Sequence, residues 1–139
     1  MAPVDWGLLL LRVGVGVTFL PHGWNKINPR GPVKGPAGFA GWLRQLGVPA
    51  PLFFAWVVVL LESAGAGLLI LGLLTRLIAL GLAMEMLVAI ALVKRGMARK
   101  RFMEPDGTGW EFEFVLLVAA LALAVAGAGQ VALDPMIGL

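Results

Sequence analysis

The stretch LFFAWVVVLLESAGAGLLILGLL (residues 52–74), followed after Thr75 and Arg76 by LIALGLAMEMLVAIALV (residues 77–93), decides the fold. The first run is 23 residues with one charge, Glu62, and the second is 17 with one charge, Glu85. A helix needs about 20 apolar residues to cross hydrocarbon, with ~17–25 the usual range. Neither run alternates as strands do, and backbone amides in lipid must bond within their own segment, so both are read as spanning helices. Thr75 and Arg76 leave room only for a very short turn, so the two helices are antiparallel neighbours.

Two further segments flank this pair. Phe114 to Leu133 is 20 residues without a charge. Trp6 to Leu20 is 15 residues interrupted by Arg12, and is long enough to span once extended to Pro3 and Trp24. A cleaved signal peptide is the rival for this first segment, but no basic stretch precedes it and no small-residue cleavage site follows. Spans are therefore expected at about residues 4–24, 52–74, 77–93 and 111–131. The fold class is all-α: an integral membrane antiparallel four-helix bundle, one membrane domain over residues 1–139.

Local signals set the ends. Pro49 and Pro51 precede or open the second helix, Pro21 and Gly23 mark the end or a kink of the first, and Gly127, Gly129 and Pro135 break up the C-terminus. In the first loop Phe39, Trp42, Leu43 and Leu46 follow i, i+3, i+4, i+7 spacing. They predict a short interfacial helix over about 37–46, with Arg44 and Gln45 towards water.

Composition agrees. The 139 residues are 60% hydrophobic and 14% charged, with mean hydropathy +0.92, against roughly 45–50% apolar and ~25% charged in soluble domains. There are no cysteines, which excludes disulfides, iron–sulfur clusters and thiol redox chemistry. The net charge of +3 sits in clusters that fit membrane topology rather than nucleic acid. Nine Lys and Arg (Lys26, Arg30, Lys34, Arg44, Lys94, Arg95, Arg99, Lys100 and Arg101) fall in the first and third loops, against Arg76 alone opposite. The first and third loops are thus expected in the cytoplasm, with both termini on the outer side of the cell (inner) membrane.

Charges inside spans cost a few kcal/mol and are functional candidates by default. Arg12, Glu62 and Glu85 fall near the middles of their segments, and the arrangement expected is Arg12 between one or both glutamates, its fork bonding the carboxylates. The set reads either as a proton-handling or quinone-headgroup site or as a structural clamp that orders helix packing. Towards the cytoplasmic ends, His22 and Lys26 lie four apart on one helical face. Glu111 and Glu113 open the last helix, where the dipole favours carboxylates; only one can face the bundle, and Glu111 is preferred. Asp5, Arg76 and Asp134 are expected to pair as a structural clasp on the outer side. With one His and no Cys, no metal site is expected.

With these positions laid out, the chain resembles the DoxX family of small four-helix bacterial and archaeal membrane proteins. The likeness rests on "LRVGVGVTF" with Arg12, "PHGWNK" with His22, Gly23 and Lys26, and "FAGWLRQLGVP". It continues through "LLESAGAGLLILGLLTR" with Glu62, Gly65, Gly72 and Arg76, then "GWEFEF" with Glu111 and "GAGQVALD" with Asp134. A departure is Ala132, where the family's tail often has Ser. The resemblance implies a four-helix bundle tied to membrane redox chemistry: some relatives look like subunits of a thiosulfate:quinone oxidoreductase, and others associate with soluble redox partners. Three functions stay open: a redox-associated, quinone-interacting membrane subunit; a non-catalytic membrane anchor or scaffold; and a small-solute or proton transporter. The partners expected are the lipid bilayer, a soluble or membrane redox partner, and in an oligomer further copies of the chain.

Overall fold

The computed structural model describes residues 1–139, and the chain is helical without strands. Helix α1 runs over Pro3–Ile27 and α2 over Gly35–Gln45. Helix α3 covers Pro51–Leu71, with a π-helical turn at Leu61–Gly65, and α4 covers Thr75–Met97, π-helical from Ala89 onward. Helix α5 covers Glu111–Ala126, and a 3-10 turn follows at Asp134–Ile137. Helices α1, α3 and α4 are long and apolar enough to cross a membrane. At 16 residues, α5 is about 24 Å long.

The ends of the helices differ from the sequence expectation in places, for physical reasons. Helix α1 runs unbroken through Pro21 and Gly23 as far as Ile27. The turn between α3 and α4 is not Thr75–Arg76, which already belong to α4; it is 72–74. Gly72 ends α3 at φ +71, its N–H donating to the Leu69 carbonyl and that of Leu73 to Leu68. That pairing closes a helix on a left-handed residue and consumes otherwise unpaired carbonyls. No other residue fits: a Cβ on Gly72 would run into the Arg12 guanidinium and Ala132. Helix α5 stops at Ala126 because Gly127 adopts φ +84.

Packing pairs α4 with α5 and α1 with α3, while α2 lies on the first half of α3 and α5 also touches α1. The main core joins Val15 and Phe19 of α1, Ala66 and Leu69 of α3, Ile78, Leu82 and Met86 of α4, and Leu116, Ala120 and Leu123 of α5. A second cluster of Phe39, Ala40, Leu43 and Ala55 seats α2 on α3. Only 31 of 139 residues are buried, and Leu10, Val17, Phe53, Leu60, Leu77, Leu80, Val115 and Val125 all point outward. An apolar exterior on this scale is unstable in water and is accounted for by contact with lipid.

Candidate functional site

The polar residues of the helices divide into two groups at opposite ends of the molecule. One surrounds a cavity of about 210 Å³ between α1, α2, α3, α4 and α5, lined chiefly by apolar side chains. Helix α1 brings His22 and Lys26 to it, α3 brings Glu62, α4 brings Glu85 and α5 brings Glu113. Phe39 and Trp42 of α2 cover one side, stacked with centroids 5.7 Å apart.

Lys26 is the hub. Its Nζ donates to Glu62 Oε2 at 2.5 Å and lies 5.3 Å from the centre of the Phe39 ring. Glu62 is almost wholly buried and Lys26 nearly so, their side chains 3% and 16% exposed. Such a pair needs the helices very close. Gly23, one turn before Lys26, provides that: a Cβ there would sit 2.7 Å from the Glu62 carbonyl and the Ser63 nitrogen. The backbone of α1 therefore rests directly on that of α3, at its π-helical turn. Turns of this kind insert an extra residue and recur at functional sites.

Glu85 faces the charges of Glu62 and Lys26, and its Oε2 is buried with no hydrogen-bond partner. His22 lines the cavity, stays mostly exposed and takes part in no hydrogen bond or ion pair. At the loop side, Glu113 Oε1 lies 3.2 Å from Lys94 Nζ, while Glu113 Oε2 is buried and unpartnered. Lys94 also donates to the carbonyls of Thr108 at 3.3 Å and Gly109 at 3.0 Å. Glu111, preferred from sequence, is not part of the cavity lining; Glu113 is. The phase of α5 decides this, since Glu113 shares a face with the buried Leu116, Ala120 and Leu123.

The second group corrects the expected Arg12–glutamate clamp. Arg12 is fully buried, and its guanidinium donates to the carbonyls of Ile70 at 3.0 Å, Leu69 at 3.5 Å and Val131. Those α3 carbonyls lie at the helix end, about 11 Å along the axis from Glu62. The last carbonyls of a helix have no partner within it, and a guanidinium with five donors meets that need. Arg12 therefore ties α1 to the end of α3 and to the C-terminal tail.

The outer clasp of Asp5, Arg76 and Asp134 also takes a different form, because each residue bonds main chain rather than another clasp residue. Asp134 accepts from the N–H groups of Leu74 at 2.6 Å and Thr75 at 3.0 Å, capping the start of α4. Arg76 donates to the carbonyls of Ala124, Val125 and Ala126, capping the end of α5. Asp5 accepts from Ala2 at 2.7 Å and Gln130 at 2.9 Å.

Comparison with known proteins agrees with this architecture. The DoxX family model matches residues 7–95, and the chain belongs to the DoxX family. That match takes in Arg12, His22, Lys26, Glu62, Glu85 and Lys94, and ends before Glu113. A Bacillus subtilis protein with the name "Putative oxidoreductase CatD" is 34% identical over 88 residues, covering 63% of this chain and 60% of that relative. Membrane protein Rv3486 of Mycobacterium tuberculosis is 34% identical over 100 residues, covering 72% and 55%. The inner membrane protein YqjF of Escherichia coli is 36% identical over 76 residues, covering 55% and 52%. The matches thus extend over little more than half the length of these relatives. No solved structure matches the chain. Family, apolar helices and relatives together make this a membrane protein in contact with lipid.

Proposed function

We propose that this protein is a quinone-interacting membrane subunit of a redox system, with the ring bound in the Lys26–Glu62–Glu85 cavity. The observation that carries the reading is the cavity itself: an apolar, aromatic-walled space with a lysine and buried carboxylates at its polar end. A quinone ring needs a flat apolar slot and donors for its carbonyl oxygens. Lys26 has three N–H donors and uses one on Glu62, while His22 supplies a donor or acceptor from the same helix. Phe19, Phe39 and Trp42 present aromatic surface. The volume suits a single ring, so an isoprenoid tail would extend into lipid between the helices.

A bound quinone would supply the electron-accepting chemistry. The chain's part is to orient the ring, exclude bulk water and hold a proton at the Glu85 carboxyl. The chain has no cysteine, so electrons would enter from a soluble or membrane redox partner. The oxidoreductase name of the Bacillus subtilis relative supports that setting.

The reading includes the membrane arrangement. The residues form a single membrane domain in which α5 crosses alongside α1, α3 and α4 as a fourth antiparallel helix, thinning the bilayer slightly. Helix α2 lies at the interface. The basic first and third loops lie in the cytoplasm, so the cavity is on the cytoplasmic half and Arg12 on the outer half.

Quenching of Trp42 fluorescence by a short-chain quinone, in nanodiscs, tests the reading. Saturable quenching that is lost in Trp42→Phe and weakened about tenfold in Lys26→Ala is the expected result, one charged hydrogen bond being worth ~1.5 kcal/mol or more. Quenching that never saturates would overturn it.

A further inference from the structure

The cavity holds more acid than one ion pair accounts for. Lys26 answers Glu62 at one end and Lys94 answers Glu113 at the other, leaving the Glu85 carboxyl with no cation of its own. Glu113 is placed unusually. One oxygen, Oε1, is on Lys94; the other, Oε2, is buried and has no hydrogen-bond partner, on a residue that lines the cavity. Lys94 is itself anchored to the carbonyls of Thr108 and Gly109 in the third loop. Glu113 thus reaches both the Lys94 pair at the third loop and the cavity wall.

Lys94 and Glu85 lie on the same continuous helix, nine residues apart. That is about two helical turns, π-helical from Ala89 onward, so Glu113, paired with Lys94, is held well along the helix from Glu85. The cavity walls between them are Ala89, Leu92, Val93 and Leu116. With no ring bound, a volume of about 210 Å³ accommodates several waters, enough to bridge the gap in short hops.

We infer that Glu113 is a proton relay, passing protons from the third-loop side through cavity water to Glu85. A proton from bulk water joins the Glu113 carboxylate, the carboxyl turns from Lys94 towards the cavity, and the proton passes along water to replace the one that the Glu85 carboxyl gives up. Glu113 returns to its anionic form on Lys94, so each cycle exchanges one proton on Glu85 and no electron moves. Glu62, Lys26 and His22 are the other titratable groups around the receiving end. The relay deepens the quinone reading, for which it would furnish protons, but its own test uses no quinone.

The measurement is infrared spectroscopy of the full chain in nanodiscs after a switch from H2O to D2O. The carboxyl C=O band that Glu85→Gln removes shifts on deuteration, and the rate of that shift is read. Glu113→Gln should slow it about tenfold or more, as loss of a positioned acid–base group does. Glu113→Asp should recover most of the rate, and Glu104→Gln in the loop should leave it unchanged. Should Glu113→Gln not fold, Lys94→Met serves instead: freeing Glu113 from its partner should speed the shift. A wild-type rate in both Glu113→Gln and Lys94→Met, or a carboxyl spectrum with no band that depends on Glu85, would overturn the relay. Loss of quinone binding with the relay intact would overturn only the quinone reading.

Discussion

Lys26 and Glu62 are 36 residues apart in the chain and 2.5 Å apart in space, Nζ to Oε2. The contact joins the end of α1 to the π-helical turn of α3 and gives the cavity its polar end. Removing one partner of a buried pair strands the other charge, at a cost of about 3 kcal/mol. Lys26→Met should therefore lower the melting temperature in detergent markedly. The double variant Lys26→Met/Glu62→Gln should recover most of that loss. Equal melting temperatures for the single and double variants would show that the pair is not coupled.

Gly23 makes that contact sterically accessible. Gly23→Ala places a methyl 2.7 Å from α3 backbone, where neither helix can yield locally. Overpacking of this sort costs ~1–3 kcal/mol. The predicted outcome is a destabilised protein in which Lys26→Met adds little further loss, since both act on one contact. Additive losses in the double variant would contradict it.

At the opposite end, Arg12→Ala leaves the carbonyls of Ile70 and Val131 without their donor and that of Leu69 with only the Gly72 N–H, and should destabilise by about 2–4 kcal/mol. Arg12→Lys should rescue only part, because a single ammonium cannot reproduce the guanidinium fork. The C-terminal tail should become sensitive to protease in both, since Val131 is one of the three anchors. Full stability of Arg12→Lys would argue against the fork. Asp134→Ala, which uncaps α4, should cost about 1 kcal/mol.

The third loop should respond to acid. Glu104 lies below its ordinary 4.5 because it accepts from the Arg101 N–H and guanidinium. Asp106 lies below 3.8 because it accepts from the hydroxyl and N–H of Thr108. A carboxylate held below its unfolded value stabilises the loop above that value and loses the effect as pH falls through the lower, folded one. Loop order should therefore hold at pH 5 and above and fade in acid beneath 3.8. Trp110 reports it, since its ring lies edge-on to Phe102 with centroids 4.7 Å apart. The Trp110-dependent fluorescence should change only in that acid range, and a change centred near neutrality would count against this assignment.

Much of the fold was legible because hydropathy is a long signal. Runs of 17 to 23 apolar residues carried α3 and α4, and i, i+3, i+4, i+7 spacing carried α2. What periodicity could not carry was rotation. FVLLVAALALAVA in α5 is apolar all round, so nothing in it says which face turns inward, and Glu111 was preferred over Glu113. The phase shared with Leu116, Ala120 and Leu123 was the available clue, visible only once their burial was known. Arg12 shows a different limit: carboxylates look like its natural partners, yet main-chain carbonyls at a helix end are equally good acceptors and leave no mark on the sequence. Lys26 counts with the first loop in the sequence, where Pro21 and Gly23 signal an end or a kink alike and the apolar run stops near Trp24, whereas the helix continues to Ile27.

The central claim is tested most directly by photolabelling the full chain in nanodiscs with an azido-substituted short-chain quinone, followed by peptide mapping. The account predicts labelling concentrated on residues 19–46 and 85–93, suppressed by excess unlabelled quinone and reduced in Lys26→Ala. Labels spread over lipid-facing positions such as Leu10, Leu77 and Val125, and indifferent to competitor, would contradict it.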